Sequence, residues 1–262
     1  MIPTGASSSA SQSPRRDTHK AVLQSGLAGL LLTSILLATA ARAQNLPTLI
    51  ADRLASSTVV NYQVRSNKFP YRLQGELRWV RNGLRYRAEL SYSLLGQKRG
   101  QSSQGLIGDQ GLLPERFVDH KGKDQIVQFD LAKRSATLAN GQPLGLQPGA
   151  QDRLSVLLNL GALVASNTQG PHAQHQMTTQ TVGAAGASAW TWVLVGSERL
   201  DLPGGSLQTQ KWSRQARSDS KQALDVWFAP ALGYLPARIK IIEENGDQID
   251  QQWQGHAPIP DS

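Results

Sequence analysis

The chain has 262 residues, with 27 Lys plus Arg against 19 Asp plus Glu, 24 Gly, 13 Pro, no Cys and 39% hydrophobic residues. That apolar share supports a packed core, while the composition excludes collagen-like, coiled-coil and multi-span membrane architectures. The missing cysteines remove disulfides, thiolate metal sites, iron–sulfur clusters and cysteine nucleophiles together.

The first 43 residues read as an export segment. A polar, Ser-rich start ends in the charged group Arg15, Arg16, Asp17, His19 and Lys20, and the following run from Ala21 to Ala41 carries no charge. Ala41-Arg42-Ala43 then supplies the small-x-small pattern of a signal-peptidase site, so cleavage is expected between Ala43 and Gln44. An uncleaved anchor is the alternative, because an uncharged run of this length nearly spans a bilayer; Gln24, Ser25, Thr33 and Ser34 dilute it. A twin-arginine route fits poorly, since polar residues with His19 and Lys20 follow the Arg15-Arg16 pair. The expected organisation is a signal peptide over 1–43, a linker over 44–57, one domain over 58–254 and a disordered tail over 255–262. Losing Arg15, Arg16, Lys20, Arg42 and Asp17 leaves 23 basic and 18 acidic side chains in 219 residues, a net charge of +5. A charge so small and dispersed, on a chain expected to be exported, argues against nucleic acid as its partner.

Alternation of period two dominates the next stretch. Val60, Tyr62 and Val64 share one face of a strand over Val59–Arg65. Tyr71, Leu73, Gly75, Leu77 and Trp79 oppose Arg72, Gln74, Glu76 and Arg78, and Leu84, Tyr86, Ala88, Leu90 and Tyr92 oppose Arg85, Arg87, Glu89 and Ser91. Between these runs, Asn82-Gly83 supplies the positive φ angles of a tight hairpin. Further strands are expected over Gly96–Ile107 and Gln125–Asp130, with a turn at Asn140-Gly141.

From Asp152 to Ser166 the period changes to that of a helix. Leu154, Leu157, Leu158, Gly161 and Val164 recur at helical spacing, while Val156, Leu160 and Leu163 fill most of the remaining circumference. A helix so nearly apolar all round needs cover on more than one side. Asp152 suits its N-cap, just after Pro148-Gly149. The stretch Asn167–Ala189 reads as a loop with an edge strand near Gln176–Val182. Strands resume over Trp190–Leu200, Ser206–Arg214, Ala223–Ala229, Ala237–Glu243 and Gln248–Gln254, the last two joined by Asn245-Gly246. The expected fold is mainly β (α+β): a strongly curved antiparallel sheet or half-barrel of about ten strands, with one long apolar helix in its concavity.

Catalytic signals are sparse. His172 and His175 stand three apart, but Gly170-Pro171 places them in a loop, as solvated side chains rather than metal ligands. Paired carboxylates, H-E-x-x-H and G-x-S-x-G are missing, so no catalytic residue, metal or cofactor is expected. The six tryptophans fall in expected strands and suit either a packed core or the wall of an apolar cavity. On the cavity alternative, the lining residues are Trp79, Leu157, Leu160, Trp190, Trp192 and Trp227.

Four groups of residues carry a family resemblance. Gly111-Leu112-Leu113-Pro114-Glu115-Arg116-Phe117, Val127-Gln128-Phe129-Asp130, Pro148-Gly149-Ala150-Gln151-Asp152-Arg153-Leu154-Ser155, and Asp225-Val226-Trp227-Phe228-Ala229-Pro230 through Gly233-Tyr234-Leu235-Pro236-Ala237-Arg238 resemble the domain-of-unknown-function family 3108, in order, over roughly 58–254. That family consists of exported proteins of Gram-negative bacteria. The resemblance implies a periplasmic location and a β-rich fold akin to the curved half-barrel of lipoprotein-carrier proteins, and it implies no established activity. The chain lacks the lipidated cysteine of the outer-membrane member of that carrier pair, so the likeness is to the soluble partner. Among the motif residues, Pro230 and Pro236 bracket a turn, Asp152 caps the helix, and Arg153 or Arg238 pairs with Asp152 or with Asp130; a contact between Asp152 and Arg238 is expected to tie helix to sheet.

Three functions follow as expectations. The first is a non-enzymatic periplasmic binding or carrier module for a lipid or another apolar envelope molecule. The second is an envelope structural or interaction module that meets an anionic protein partner with Arg72, Arg78, Arg85 and Arg87, although Glu76 and Glu89 share those faces. The third, least supported, is an envelope hydrolase. Oligomeric state is not legible.

Overall fold

Alternating side chains and tight turns fold the described residues, 54–94, 97–109, 111–166, 175–215 and 222–259, into fifteen strands and one α-helix in this computed structural model. The expected signal peptide, most of the linker and the histidine His172 lie outside the described residues.

The first half is an antiparallel meander of β1 (Thr58–Ser66), β2 (Phe69–Asn82), β3 (Arg85–Leu94), β4 (Gln97–Gly108), β5 (Gly111–Lys121), β6 (Lys123–Asp130), β7 (Ser135–Thr137) and β8 (Pro143–Gly145). Leu77 and Trp79 on β2 pair with Leu90 and Ala88 on β3, so the apolar phases of both strands meet on one face. Tyr71 and Leu84, expected on that face, are 44% and 66% exposed. Leu84 lies in the two-residue loop because Asn82 pairs with Arg85 and Gly83 takes the positive φ of 55°. β5 is a strand that periodicity does not reveal, since Phe117, Val118 and Asp119 are all buried and no alternation survives.

After β9 (Gln151–Asp152) and α1 (Ser155–Ser166) comes a second meander of β10 (Gln176–Gly183), β11 (Gly186–Leu202), β12 (Gly205–Arg214), β13 (Ala223–Phe228), β14 (Pro236–Ile242) and β15 (Gln248–Pro258). β15 pairs with β1, so the order runs from β8 down to β1 and then from β15 down to β9. Neighbours are antiparallel except β9 and β10. The expected ten strands become fifteen, and the tail expected to be disordered from 255 contributes His256, Ala257 and Pro258 to the ladder with Val60, Val59 and Thr58. At the other end Leu54 and Ala55, assigned to the linker, pack on the core, and the Ala55 carbonyl accepts a hydrogen bond from Trp79 Nε1 at 2.8 Å.

The helix is shorter than the fifteen residues expected. Asp152 stays extended in β9, and its Oδ1 accepts hydrogen bonds from the backbone N–H groups of Leu154 (2.8 Å) and Ser155 (2.7 Å), so it caps a helix of twelve residues. Nine of those residues are buried, against β5 and β9 on one side and β13 and β14 on the other, which seats α1 in the concavity of the sheet. Leu154 and Leu158 enter one apolar cluster with Val60, Tyr62, Trp79 and Phe117. Val156, Leu157, Leu160 and Val164 enter a second with Trp192, Trp212, Val226 and Phe228. Polar side chains tie this segment to β5: Asn159 Oδ1 on α1 accepts from Leu112 N–H at 3.0 Å, and Gln151 Nε2 on β9 donates to the Leu112 carbonyl at 2.7 Å.

The two ends of the sheet approach one another without a shared ladder. Gln180 on β10 bridges them, accepting from Gln147 N–H at 2.8 Å and donating to the Gly145 carbonyl at 3.0 Å. Between β13 and β14, Pro230 opens a single 3-10 turn, after which Gly233 and Tyr234 take φ values of 61° and 62°. This left-handed pair reverses the chain and turns the Tyr234 carbonyl onto α1 at Gly161. Pro236 starts β14 and accepts the Tyr62 hydroxyl at 2.7 Å on its carbonyl.

Candidate functional site

Curvature leaves a cleft beside the first turn of α1, with a volume of about 590 Å³. Its walls differ in chemistry. Leu224, Ile239, Ile241 and Ile249 come from β13, β14 and β15, and with Leu157, Trp190, Leu90 and Tyr92 they form an apolar surface. Arg99 and Gln101 from β4, Asp119 and Lys121 from β5, and Arg153 ahead of α1 form a polar one. Asp119 is buried, with Oδ2 at 3.3 Å from Lys121 Nζ. Its Oδ1, like Oε1 of the buried Gln251 on β15, is shut off from the cleft and accepts no hydrogen bond among the described residues. Arg153 lies over the backbone of Gly183, where a Cβ would stand 2.6 Å from its Nε.

Of the six side chains expected around a cavity, Leu157 and Trp190 line it. Trp79 is buried in the first core cluster, stacked on Tyr86 at 5.7 Å. Leu160 and Trp192 are fully buried in the second, Trp192 meeting Trp190 edge-on at 6.0 Å. Trp227 points to the other face of the sheet, because Val226 and Phe228 take the inward phase of β13. The polar wall escapes a reading by period because β4 offers polar residues on both faces and β5 is buried on both. Phe117 holds the usable signal, since 117, 119 and 121 share its phase.

On the outer face Trp227 is enclosed by charge. Lys211 Nζ lies 4.9 Å from its ring and the Arg238 guanidinium 4.7 Å, while its Nε1 donates to Glu198 at 2.6 Å. Arg238 donates to both carboxylate oxygens of Asp250, at 2.8 and 2.7 Å. The expected pairing of Arg238 with Asp152 is therefore wrong: Asp152 is fully buried on the inner side, and alternation along β14 sends Arg238 outward. Asp130, for its part, takes Lys133, through the backbone N–H at 2.9 Å and Nζ at 3.0 Å. Replacing Arg238 with Met is expected to cost about 2 kcal/mol, because Asp250 loses its cation while mostly buried and Trp227 loses a stacked guanidinium. Urea unfolding of variant and parent at neutral pH measures this.

Asp152 anchors a buried polar chain. Its Oδ2 accepts from Ser103 Oγ at 2.5 Å, and that hydroxyl exchanges a hydrogen bond with Tyr86 at 2.9 Å. Burial raises the Asp152 carboxyl to about 6, outweighing the hydrogen bonds that favour its charge. Burial and the nearby Asp152 charge likewise hold the Tyr86 hydroxyl well above its ordinary value.

Two other constellations are weaker. Ser102 Oγ lies 3.3 Å from His120 Nε2, and His120 Nδ1 lies 2.8 Å from Asp124 Oδ1, the order of a nucleophile, base and orienter. Ser102 sits mid-strand between β3 and β5, where backbone N–H groups serve the ladders instead of an oxyanion hole. On the arginine-rich face, Arg85 pairs with Glu115 at 3.1 Å and Arg78 stands opposite Glu89, so acids interrupt the positive surface.

No protein-family model matches the chain, and no curated protein matches it. Among solved structures, a β-barrel-like protein of domain of unknown function DUF1849 from Brucella abortus is similar, with a TM-score of 0.51 at 10% identity over 79% of this chain and 99% of that one. This likeness concerns the fold, a curved β-barrel-like sheet. The Pseudomonas aeruginosa MucA/MucB complex (TM-score 0.36, 14% identity, 82% of this chain, 56% of that one) and a putative lipoprotein from Parabacteroides distasonis (0.34, 7%, 78%, 98%) are more distant and carry no argument.

Proposed function

We propose that the chain is a non-enzymatic binding or carrier module of the cell envelope, exported to the periplasm, that takes a lipid or another apolar molecule into the cleft beside α1. The carrying observation is the cleft itself: a volume of about 590 Å³ lined by eight aliphatic and aromatic side chains beside polar ones is the size and character of a small-molecule site. The resemblance to family 3108 and the export segment support the same reading. The Ser102, His120 and Asp124 chain gives the hydrolase alternative its foothold, and the lack of an oxyanion hole around Ser102 weighs against it.

A neutral fluorescent naphthylamine probe is expected to bind the protein at one site and to brighten as it leaves water. Replacing Ile241 with Trp puts bulk into the cleft at a half-buried position, so it should weaken that binding by about tenfold or more, equivalent to about 1.4 kcal/mol, while the fold is kept. A parent protein that leaves the probe dark overturns the proposal.

A further inference from the structure

We infer that the guest of this cleft is a single-chain amphiphile with a zwitterionic headgroup, which sets its anionic part on Arg153 and its cationic part on Glu243. The inference rests on the binding-module reading and adds the chemistry of the ligand's head.

The charged side chains that line the cleft are Arg99, Asp119, Lys121, Arg153 and Glu243. Three of them are already answered within the protein. Lys121 Nζ lies 3.3 Å from the buried Asp119 carboxylate, and Arg99 has a partner of its own. Arg153 and Glu243 have no opposite charge beside them among the described residues. Arg153 is exposed, and the half-exposed Glu243 accepts its hydrogen bond from a neutral amide, Gln222 Nε2 at 2.6 Å. What remains for a guest is therefore one positive and one negative group, with no surplus of either sign.

Both groups are fixed at their roots. The backbone of Arg153 stands between Asp152, which pairs with Val182 on β10, and Leu154, whose N–H donates to Asp152 Oδ1 at 2.8 Å. Its side chain then lies across Gly183. Glu243 follows the last residue of β14, and its N–H donates to the Asp247 carbonyl at 2.8 Å. Ile239, Ile241 and Glu243 line the cleft from alternate positions, so the carboxylate stands about 7 Å along the chain from Ile241. Ile241 is in register with Leu224 on β13 and Ile249 on β15, which makes an aliphatic row across three strands with a charge at its end.

A guest that fills the cleft takes water from Arg153 and Glu243, and each then needs a partner. A hydrocarbon answers neither. An anionic head answers Arg153 and is repelled by Glu243, and a cationic head does the reverse, whereas a zwitterion answers both. A phosphate suits the guanidinium fork, and an ammonium donates well to a carboxylate. The volume of about 590 Å³ holds one chain with such a head, within the range of a single drug-sized ligand.

Calorimetry on the full chain, below micellar concentrations, compares dodecyl phosphoethanolamine with dodecyl phosphate, dodecyltrimethylammonium, uncharged triethylene glycol monododecyl ether and chainless glycerophosphoethanolamine. The zwitterion should bind about fivefold more tightly than any other chained probe, the scale of partly exposed ion pairs, and the chainless compound should show no heat. Arg153→Gln should turn the preference toward the ammonium probe, and Glu243→Gln, which keeps an acceptor for Gln222, should turn it toward dodecyl phosphate. Both variants should keep the parent's thermal midpoint. Opposite shifts from two isosteric or near-isosteric changes are what a merely structural role would not produce. Equal affinity for the four chained probes, a parent that prefers a singly charged probe, or variants that shift in the same direction overturns the headgroup inference and leaves the binding-module reading standing. Failure of every chained probe overturns both. Chainless glycerophosphoethanolamine binding as tightly as the chained zwitterion identifies a site for a free polar compound and also overturns the inference.

Discussion

Replacing Gly161 with Ala is expected to destabilise the protein by about 3 kcal/mol, although the same exchange in an isolated helix stabilises it by about 1 kcal/mol. The reversal comes from one close approach. A Cβ on Gly161 would stand 2.3 Å from the Tyr234 carbonyl oxygen and 3.2 Å from the Phe228 ring. The oxygen is backbone, fixed by the left-handed Gly233-Tyr234 pair and by Tyr234 N–H donating to the Ala229 carbonyl at 3.0 Å, so it has nowhere to retreat. α1 must move outward instead, and with it Leu157 and Leu160. Urea unfolding of Gly161→Ala beside Ala162→Gly tests the point. The second variant should cost only the ordinary propensity loss of about 1 kcal/mol plus a small void. A Gly161→Ala variant as stable as its parent would show that the helix does not sit against that turn.

Acidification should stabilise this protein between neutral pH and about pH 4, against the usual behaviour of carboxylates, to the extent that Asp152 dominates. Its carboxyl titrates near 6 when folded and near 3.8 when unfolded. The folded state therefore holds the proton more tightly, and the associated stability is complete below the unfolded value and lost as pH rises through 6. About two pH units at 1.36 kcal/mol each give a cost on the order of 3 kcal/mol above pH 7. Asp152→Asn keeps the shape and an equally good N-cap without the charge. It should match the parent near pH 4, exceed its stability by up to that amount at about pH 8, and flatten the dependence between. Asp152→Ala should lie about 3 kcal/mol below Asp152→Asn at every pH, because the N–H groups of Leu154 and Ser155 lose their acceptor and Ser103 Oγ its partner. Parallel pH profiles for the parent and the Asp152→Asn variant would rule the carboxyl out as the source.

What could be read in the sequence was what has a period. Leu77 and Trp79 against Leu90 and Ala88 form a two-residue alternation that nothing disturbs, and Asn245-Gly246 closes its hairpin with Gly246 at φ 84°. α1 was legible by the same logic, down to its Asp152 cap. β5 was not, because a strand covered on both faces has no alternation to show, and the polar half of the cleft lies on it and its neighbour β4. Trp227 misled for a related reason: a large indole suggests an interior, but Arg238 and Lys211 cover this one from outside. The pairing of Asp152 with Arg238 failed because sharing a motif says nothing about which side of a sheet each side chain takes.

The ladder between β1 and β15 has a consequence for how the molecule is assembled. Thr58 Oγ1 donates to the Ala257 carbonyl across 199 positions, in the middle of the sheet and not at its rim. During synthesis or transport the earliest strand must wait for the latest, and contacts of such long range slow folding. Until β15 arrives, β1 presents an open edge of the kind that recruits other chains. Cutting the chain in an exposed loop and joining Ile259 to Leu54 through a short linker would turn that seam into a local hairpin, and such a circular permutant should fold faster with little change in final stability.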